Sequence, residues 1–209
     1  MTDKPILFSG PMIRAILDGR KTQTRRVLKP LTPVQYERGI TACETPDGAR
    51  WRLLYAIGDR LWVREKFAVS GIGWGKKPID AIGGKVHYTA DPDHGWHDYW
   101  GNWHPSIHMP RWASRLTLVV TDVRVQRLQE ISEADARAEG ARFAMEPTRK
   151  LQGWTFDEVY SRAMARDAFA HLWDGLNAKR GFGWAANPWV VALTFTVHRC
   201  NIDQMATAS

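Results

Sequence analysis

The chain holds 209 residues, 44% of them apolar and 24% charged, a balance that excludes a disordered polypeptide and supplies one ordinary core or two small ones. Lys and Arg number 29 against 22 Asp and Glu, a net charge of +7 that favours anionic or base-bearing partners without identifying one. The two cysteines, Cys43 and Cys200, stand far apart with no CxxC and no His at zinc spacing, which supports neither a disulfide framework nor a cysteine metal site and fits a reducing cytoplasm.

The opening segment, MTDKPILFSGPM, carries Asp3 and lacks the apolar core of a secretion signal. No later apolar run approaches the roughly 18 residues of a membrane span, so no membrane partner is expected. Residues 5–9 read as a short strand, after which Gly10-Pro11 opens a helix with Met12, Ile13, Ile16 and Leu17 on its apolar face and Gly19 at its end. KTQTRRV, with β-branched Thr22, Thr24 and Val27, reads as a second strand or extended turn. Residues 30–58 are rich in Pro, Gly and polar groups and predict an irregular insertion, closed by a turn at Gly58-Asp59. In the strand that follows, Leu61, Val63 and Glu65 share one face, and Trp62, Arg64 and Lys66 the other.

A second insertion, residues 68–115, holds five of the seven histidines and a single expected strand at Val86–Ala90. Its Trp96, Tyr99, Trp100, Trp103 and Trp112 suggest a lid or a stacking surface, in a chain with 11 tryptophans, most of which are expected to pack in or near the core. Residues 116–127 form the clearest strand; its apolar set changes face midway, which predicts a bulge or burial on both faces at its start. Ser132 with Asp135 resembles a capping box that launches a short helix stopping at Gly140, with Glu139 in the last turn. Thr155 with Glu158 repeats the signal ahead of the longest helix, whose apolar face is Phe156, Val159, Tyr160, Ala163, Phe169, Leu172, Trp173 and Leu176 and which ends before Gly181. Residues 189–197 close the fold as a strand, leaving a polar tail, 199–209. Helices inserted between non-adjacent strands predict an α+β fold, a mixed β-barrel with peripheral helices, as one domain over residues 1–209.

The chemistry is concentrated in Gly19-Arg20-Lys21-Thr22-Gln23-Thr24-Arg25-Arg26. Repulsion from Arg20, Arg25 and Arg26, together with burial against Phe8 or Trp62, would favour the neutral Lys21 amine, and a neutral amine beside the Thr24 hydroxyl is a base and nucleophile pair. Positions i and i+3 face oppositely on an ideal strand, so Lys21 must lie in the turn before it or a bulge must re-aim one side chain. Spacing alone favours a solvated basic turn, since charge runs usually face water. Arg26 shares the face of Thr24 and is the first choice for orienting substrate; Trp62, Arg64 and Glu65 are candidates for stacking on and hydrogen-bonding a pyrimidine, against the plainer alternative of a core Trp and an ion pair. His87, Asp91, Asp93, His94, His97, His104 and His108 match no zinc spacing, and no metal or cofactor is expected.

GRKTQTRR after a short helix, GDRLWVRE, a strand followed by ISEADARAEG and a final aromatic strand together resemble the ASCH domain family, and PSIHMPRWASR, LWDGLNAKRG and NPWV resemble its larger branch, often encoded by phages and prophages. The resemblance spans about residues 5–197 and implies a PUA-like β-barrel. In members of known activity, the matching Lys, Thr and Glu are implicated in hydrolysing the amide of N4-acylated cytosines; these positions are Lys21, Thr24 and Glu139. The insertions depart from the small characterised members and put substrate size in question. Other members are described as RNA-binding and some as ribonucleases, so the alternatives to an N4-acylcytidine amidohydrolase are an RNA-binding module or an RNA-cleaving enzyme. Thr24 attacking the acyl carbonyl and water attacking with Lys21 as base are both consistent with the residues.

Overall fold

The computed structural model describes residues 2–32, 42–70, 84–92, 103–141, 150–151, 154–155 and 165–205. They form an α+β fold that divides into two compact units, one of Met1–Gly19, Ile57–Thr121 and Phe195–Ser209, the other of Arg20–Ala56 and Asp122–Thr194. No helix among the described residues is long and apolar enough to cross a membrane.

In the first unit, β1 (Asp3–Leu7) runs parallel to β6 (Arg60–Arg64), and β6 pairs antiparallel with the start of β9 (Thr117–Arg127). Between β1 and β6 lies α1 (Gly10–Leu17), opened by Pro11 and burying Ile13, Ala15 and Ile16. Gly19 takes φ +72° just past its end, a left-handed conformation that an L side chain would strain. Leu61 and Val63 are buried while Trp62 and Arg64 are half-exposed, the alternation expected of this strand. At the start of β9, Thr117, Leu118 and Val120 are buried, matching the expected two-faced burial.

Two expectations fail in this unit and its chain neighbours. The second insertion holds two strands, β7 (Phe67–Val69) and β8 (Val86–Tyr88), paired antiparallel over a small core of Phe67, Val69, Met109 and Ala113. Residues 30–58 are not wholly irregular, since β3 (Lys29–Pro30), β5 (Arg50–Arg52) and β4 (Ala42–Glu44) pair in that order as a small antiparallel sheet of the second unit. Strands of two or three residues leave too little alternation to detect. In the polar segment after Arg199, Asn201 Nδ2 donates to the carbonyls of Arg111, Trp112 and Ser114 at 2.9, 3.2 and 2.7 Å, and Ile202 is buried.

In the second unit, β2 (Gln23–Val27) pairs antiparallel with β12 (Trp189–His198), which lies between it and β9. The helices α2 (Glu133–Ala138) and α3 (Ala165–Asn177) pack on this side around Leu128, Ile131, Ala136, Phe169, Trp173 and Val190. α3 has a narrower buried stripe than predicted, since Leu172 and Leu176 are 39% and 49% exposed while Ala165, Ala168, Phe169 and Trp173 are buried. Thr155, the expected cap, lies in β11 (Trp154–Thr155), paired with β10 (Lys150–Leu151). Phe156, Val159, Tyr160 and Ala163 lie outside the described residues.

Ser132 caps α2 as expected, its Oγ accepting from the Asp135 amide at 3.1 Å. The reciprocal arm of a capping box is missing because the Asp135 carboxylate is turned to Gln23, Arg25 and Arg124. Ser132→Ala is expected to cost about 1 kcal/mol of stability, read by urea unfolding.

Candidate functional site

The second unit joins the start of β2 to the end of α2. Lys21 forms an isolated antiparallel bridge with Glu139, and the Thr22 amide donates to the Ala138 carbonyl at 2.8 Å. Gly140, at φ +77°, ends the helix just beyond Glu139 in a conformation suited to glycine. Sequence distance is thereby removed: Lys21 Nζ donates to Glu139 Oε2 at 2.7 Å and to the Glu139 carbonyl at 2.9 Å. Lys21 is 1% exposed and Glu139 4%.

Arg25 holds the same carboxylate from the other side. Its Nη1 donates to Glu139 Oε1 at 3.0 Å and its Nη2 to Asp135 Oδ2 at 3.2 Å. Gln23 Nε2 donates to Asp135 Oδ1 at 2.9 Å, and Arg124 of β9 donates to both Asp135 oxygens. Alternate residues of the extended chain, Lys21, Gln23 and Arg25, therefore present a row of donors to two carboxylates one helical turn apart, Asp135 and Glu139. The cations also offset the unfavourable placement of a carboxylate at a helix C-terminus.

Thr24 is buried opposite Leu193 of β12, and Arg26 is half-buried opposite Val191 and within electrostatic reach of Lys21 and Glu139. Tyr55 acts on Arg26: burial lowers the guanidinium, with Tyr55 and Glu139 opposing, while burial raises the Tyr55 phenol and Arg26 opposes that. Burial holds the Lys21 ammonium below the usual lysine range; Glu139 works against this, and Arg26 and Arg25 add to it. Desolvation thus leads and guanidinium repulsion follows, the reverse of the weighting expected from the run of cations. Asp135 stays below the usual carboxylate range, since burial pushes it up but Arg124, Gln23 and Arg25 outweigh that.

The remaining sequence candidates belong to the first unit. Phe8 is buried, and the Arg64 guanidinium lies 5.2 Å from the Trp62 ring centroid and donates to the Ile107 carbonyl. Glu65 is 1% exposed, and both its oxygens accept from Arg115, at 2.9 and 3.0 Å. Burial pushes Glu65 above the usual carboxylate range while Arg115 pulls it back. Arg115 also pairs with Asp91 at 2.6 Å and sits 3.8 Å from the Tyr88 ring centroid.

From sequence, Arg25 was expected only as a repelling cation and Asp135 only as a capping residue, and Gln23, Tyr55 and Arg115 were given no role. For three of them a signal existed: the same parity as Lys21 along the strand for Gln23 and Arg25, and the four-residue spacing to Glu139 for Asp135. No group of three or more His, Cys, Asp or Glu among the described residues is placed to hold a metal. Asp93, His94 and His97 lie outside those residues, as do Trp96, Tyr99 and Trp100 of the expected lid.

No protein-family model matches the chain, and no curated protein matches it. Among solved structures it is similar to a DUF984 protein from Enterococcus faecalis V583, at 12% identity over 96% of this chain and 82% of that one, with a TM-score of 0.42. It is also similar to an ASCH domain from Lactobacillus crispatus JV V101, at 12% identity over 94% and 79% of the two chains, with a TM-score of 0.37. Likeness at that level assigns neither a family nor a reaction.

Proposed function

We propose that the protein is a metal-independent amidohydrolase that cleaves the N4-acyl amide of acylated cytidine or cytosine, releasing cytidine or cytosine and a carboxylic acid. The observation that carries this reading is the Lys21 amine, buried, held by Glu139 and biased by its surroundings toward the neutral form. In this scheme Lys21 takes a proton from the Thr24 hydroxyl as it attacks the acyl carbonyl. Lys21 then returns that proton to the departing N4 nitrogen, and water hydrolyses the resulting ester. Glu139 orients the amine, and Arg26 is the group assigned to orienting substrate. The cytosine ring delocalises the N4 lone pair, so this amide is a weaker barrier than a peptide bond. The motif resemblance in GRKTQTRR and ISEADARAEG supports the same three residues.

The test is to follow the absorbance of N4-acetylcytidine mixed with purified protein. Turnover is expected, with Thr24→Ala lowering kcat/KM by at least about 10²-fold and with little dependence on salt. No turnover by the native chain disposes of the reading, as does full activity of Thr24→Ala and Lys21→Ala.

A further inference from the structure

Facing Lys21 are Glu139 from the end of α2 and Arg25 and Arg26 from β2; Asp135, one turn back on α2, grips Arg25. Tyr55 lies by Arg26 and is neutral in the ordinary pH range. Arg124 binds Asp135 from outside and is itself paired with Asp122, at 3.0 Å, both of them more than a third exposed. Lys21 and Arg25 thus divide the Glu139 carboxylate, one on each oxygen. Guanidinium groups do not deprotonate in proteins, so of these two cations the lysine is the one able to release a proton.

We infer that Asp135 and Arg25 form a positioning pair for the Lys21–Glu139 couple: Arg25, anchored by Asp135, occupies Glu139 Oε1, weakens the hold of that carboxylate on the lysine, and leaves the Lys21 amine as the group that releases its proton. Arg25 touches no reacting atom in this arrangement and acts only through Glu139. The inference deepens the proposed amide hydrolysis, because it assigns how the base of that reaction is kept ready.

The two members of the pair make opposite demands on Lys21. Arg25→Gln removes a cation and frees Glu139 Oε1 for the lysine, and both changes favour the ammonium. Asp135→Asn removes a negative charge and leaves Arg25 to bind Glu139 more closely, and both changes favour the amine. A pair that merely packed the site would behave otherwise: either substitution would loosen it, admit water and return Lys21 toward an ordinary lysine.

The experiment is an NMR titration of the full chain labelled with ¹³C at lysine Cε, the Lys21 resonance being assigned by its loss in Lys21→Arg. The midpoint is expected to rise by about 1 pH unit in Arg25→Gln and to fall in Asp135→Asn. The acid limb of kcat/KM for N4-acetylcytidine should move in the same order. An unmoved midpoint in a folded Arg25→Gln protein, or a rise in Asp135→Asn, overturns the inference. Should Arg25→Gln fail to fold, Asp135→Asn, which keeps the side-chain shape, decides alone: a fall supports the inference, and no change or a rise removes it. The titration needs no substrate, so opposed shifts without hydrolysis would reject the proposed reaction and keep the positioning pair.

Discussion

Lys21→Met is expected to lower kcat/KM for N4-acetylcytidine by about 10²–10⁴-fold while the protein stays folded. Methionine replaces the buried stem with an apolar chain of similar length, and Glu139 keeps its bond from Arg25 at 3.0 Å, so no carboxylate is stranded. The same variant changes the pH dependence of stability in a defined direction. Because the folded-state Lys21 lies below the usual lysine value, there is a window in which the unfolded chain binds this proton and the folded chain does not. Within that window stability rises with pH, and the gain is complete once pH passes the unfolded lysine value of about 10.4. Lys21→Met removes that contribution. Urea unfolding at pH 7 and pH 9 would show it as a smaller rise, or a steeper decline, than the native chain; identical slopes would mean that Lys21 is an ordinary ammonium.

Arg115→Met is expected to destabilise the protein by about 3–5 kcal/mol at pH 7, the effect of removing one partner from a buried pair. It leaves Glu65, 1% exposed, without either of the hydrogen bonds that hold its carboxylate, and it takes the cation from over Tyr88. The loss should shrink as pH falls. Glu65 already titrates above its ordinary value, and without Arg115 burial acts unopposed by that cation, so the folded state takes up a proton where the unfolded state has none. Stability of the variant then falls as pH rises from the ordinary glutamate value toward the raised one, by the same linkage with the opposite sign. Unfolding at pH 5 and pH 7 measures it; a penalty equal at the two values would mean that Glu65 is solvated after the substitution.

Local signals served the long elements well. The apolar spacing of Ile13 and Ile16, the alternation of Leu61 and Val63, and the run from Thr117 to Arg127 each correspond to the helix or strand expected of them. Leu172 and Leu176 misled because helical spacing marks a stripe without marking its width. At the candidate site, Glu139 was reachable only through resemblance, since nothing local relates it to Lys21, 118 positions away. Arg25 looked like one more cation in a basic run; what sets it apart is a pair of carboxylates on a helix 110 and 114 positions downstream. Tertiary pairing of that kind leaves no trace in a short window.

The division of the chain also constrains how it emerges from a ribosome. The first unit is assembled from three separate stretches, and the second from two that alternate with them. Strand β1 must wait for Arg60–Arg64 to be synthesised before it has a neighbour, and the carbonyl of Ser114 waits a further 87 residues for the side chain of Asn201. The second unit cannot close until Thr194 has been made, nor the first until the stretch from Phe195 follows, so strand edges stay unpaired through the synthesis of both.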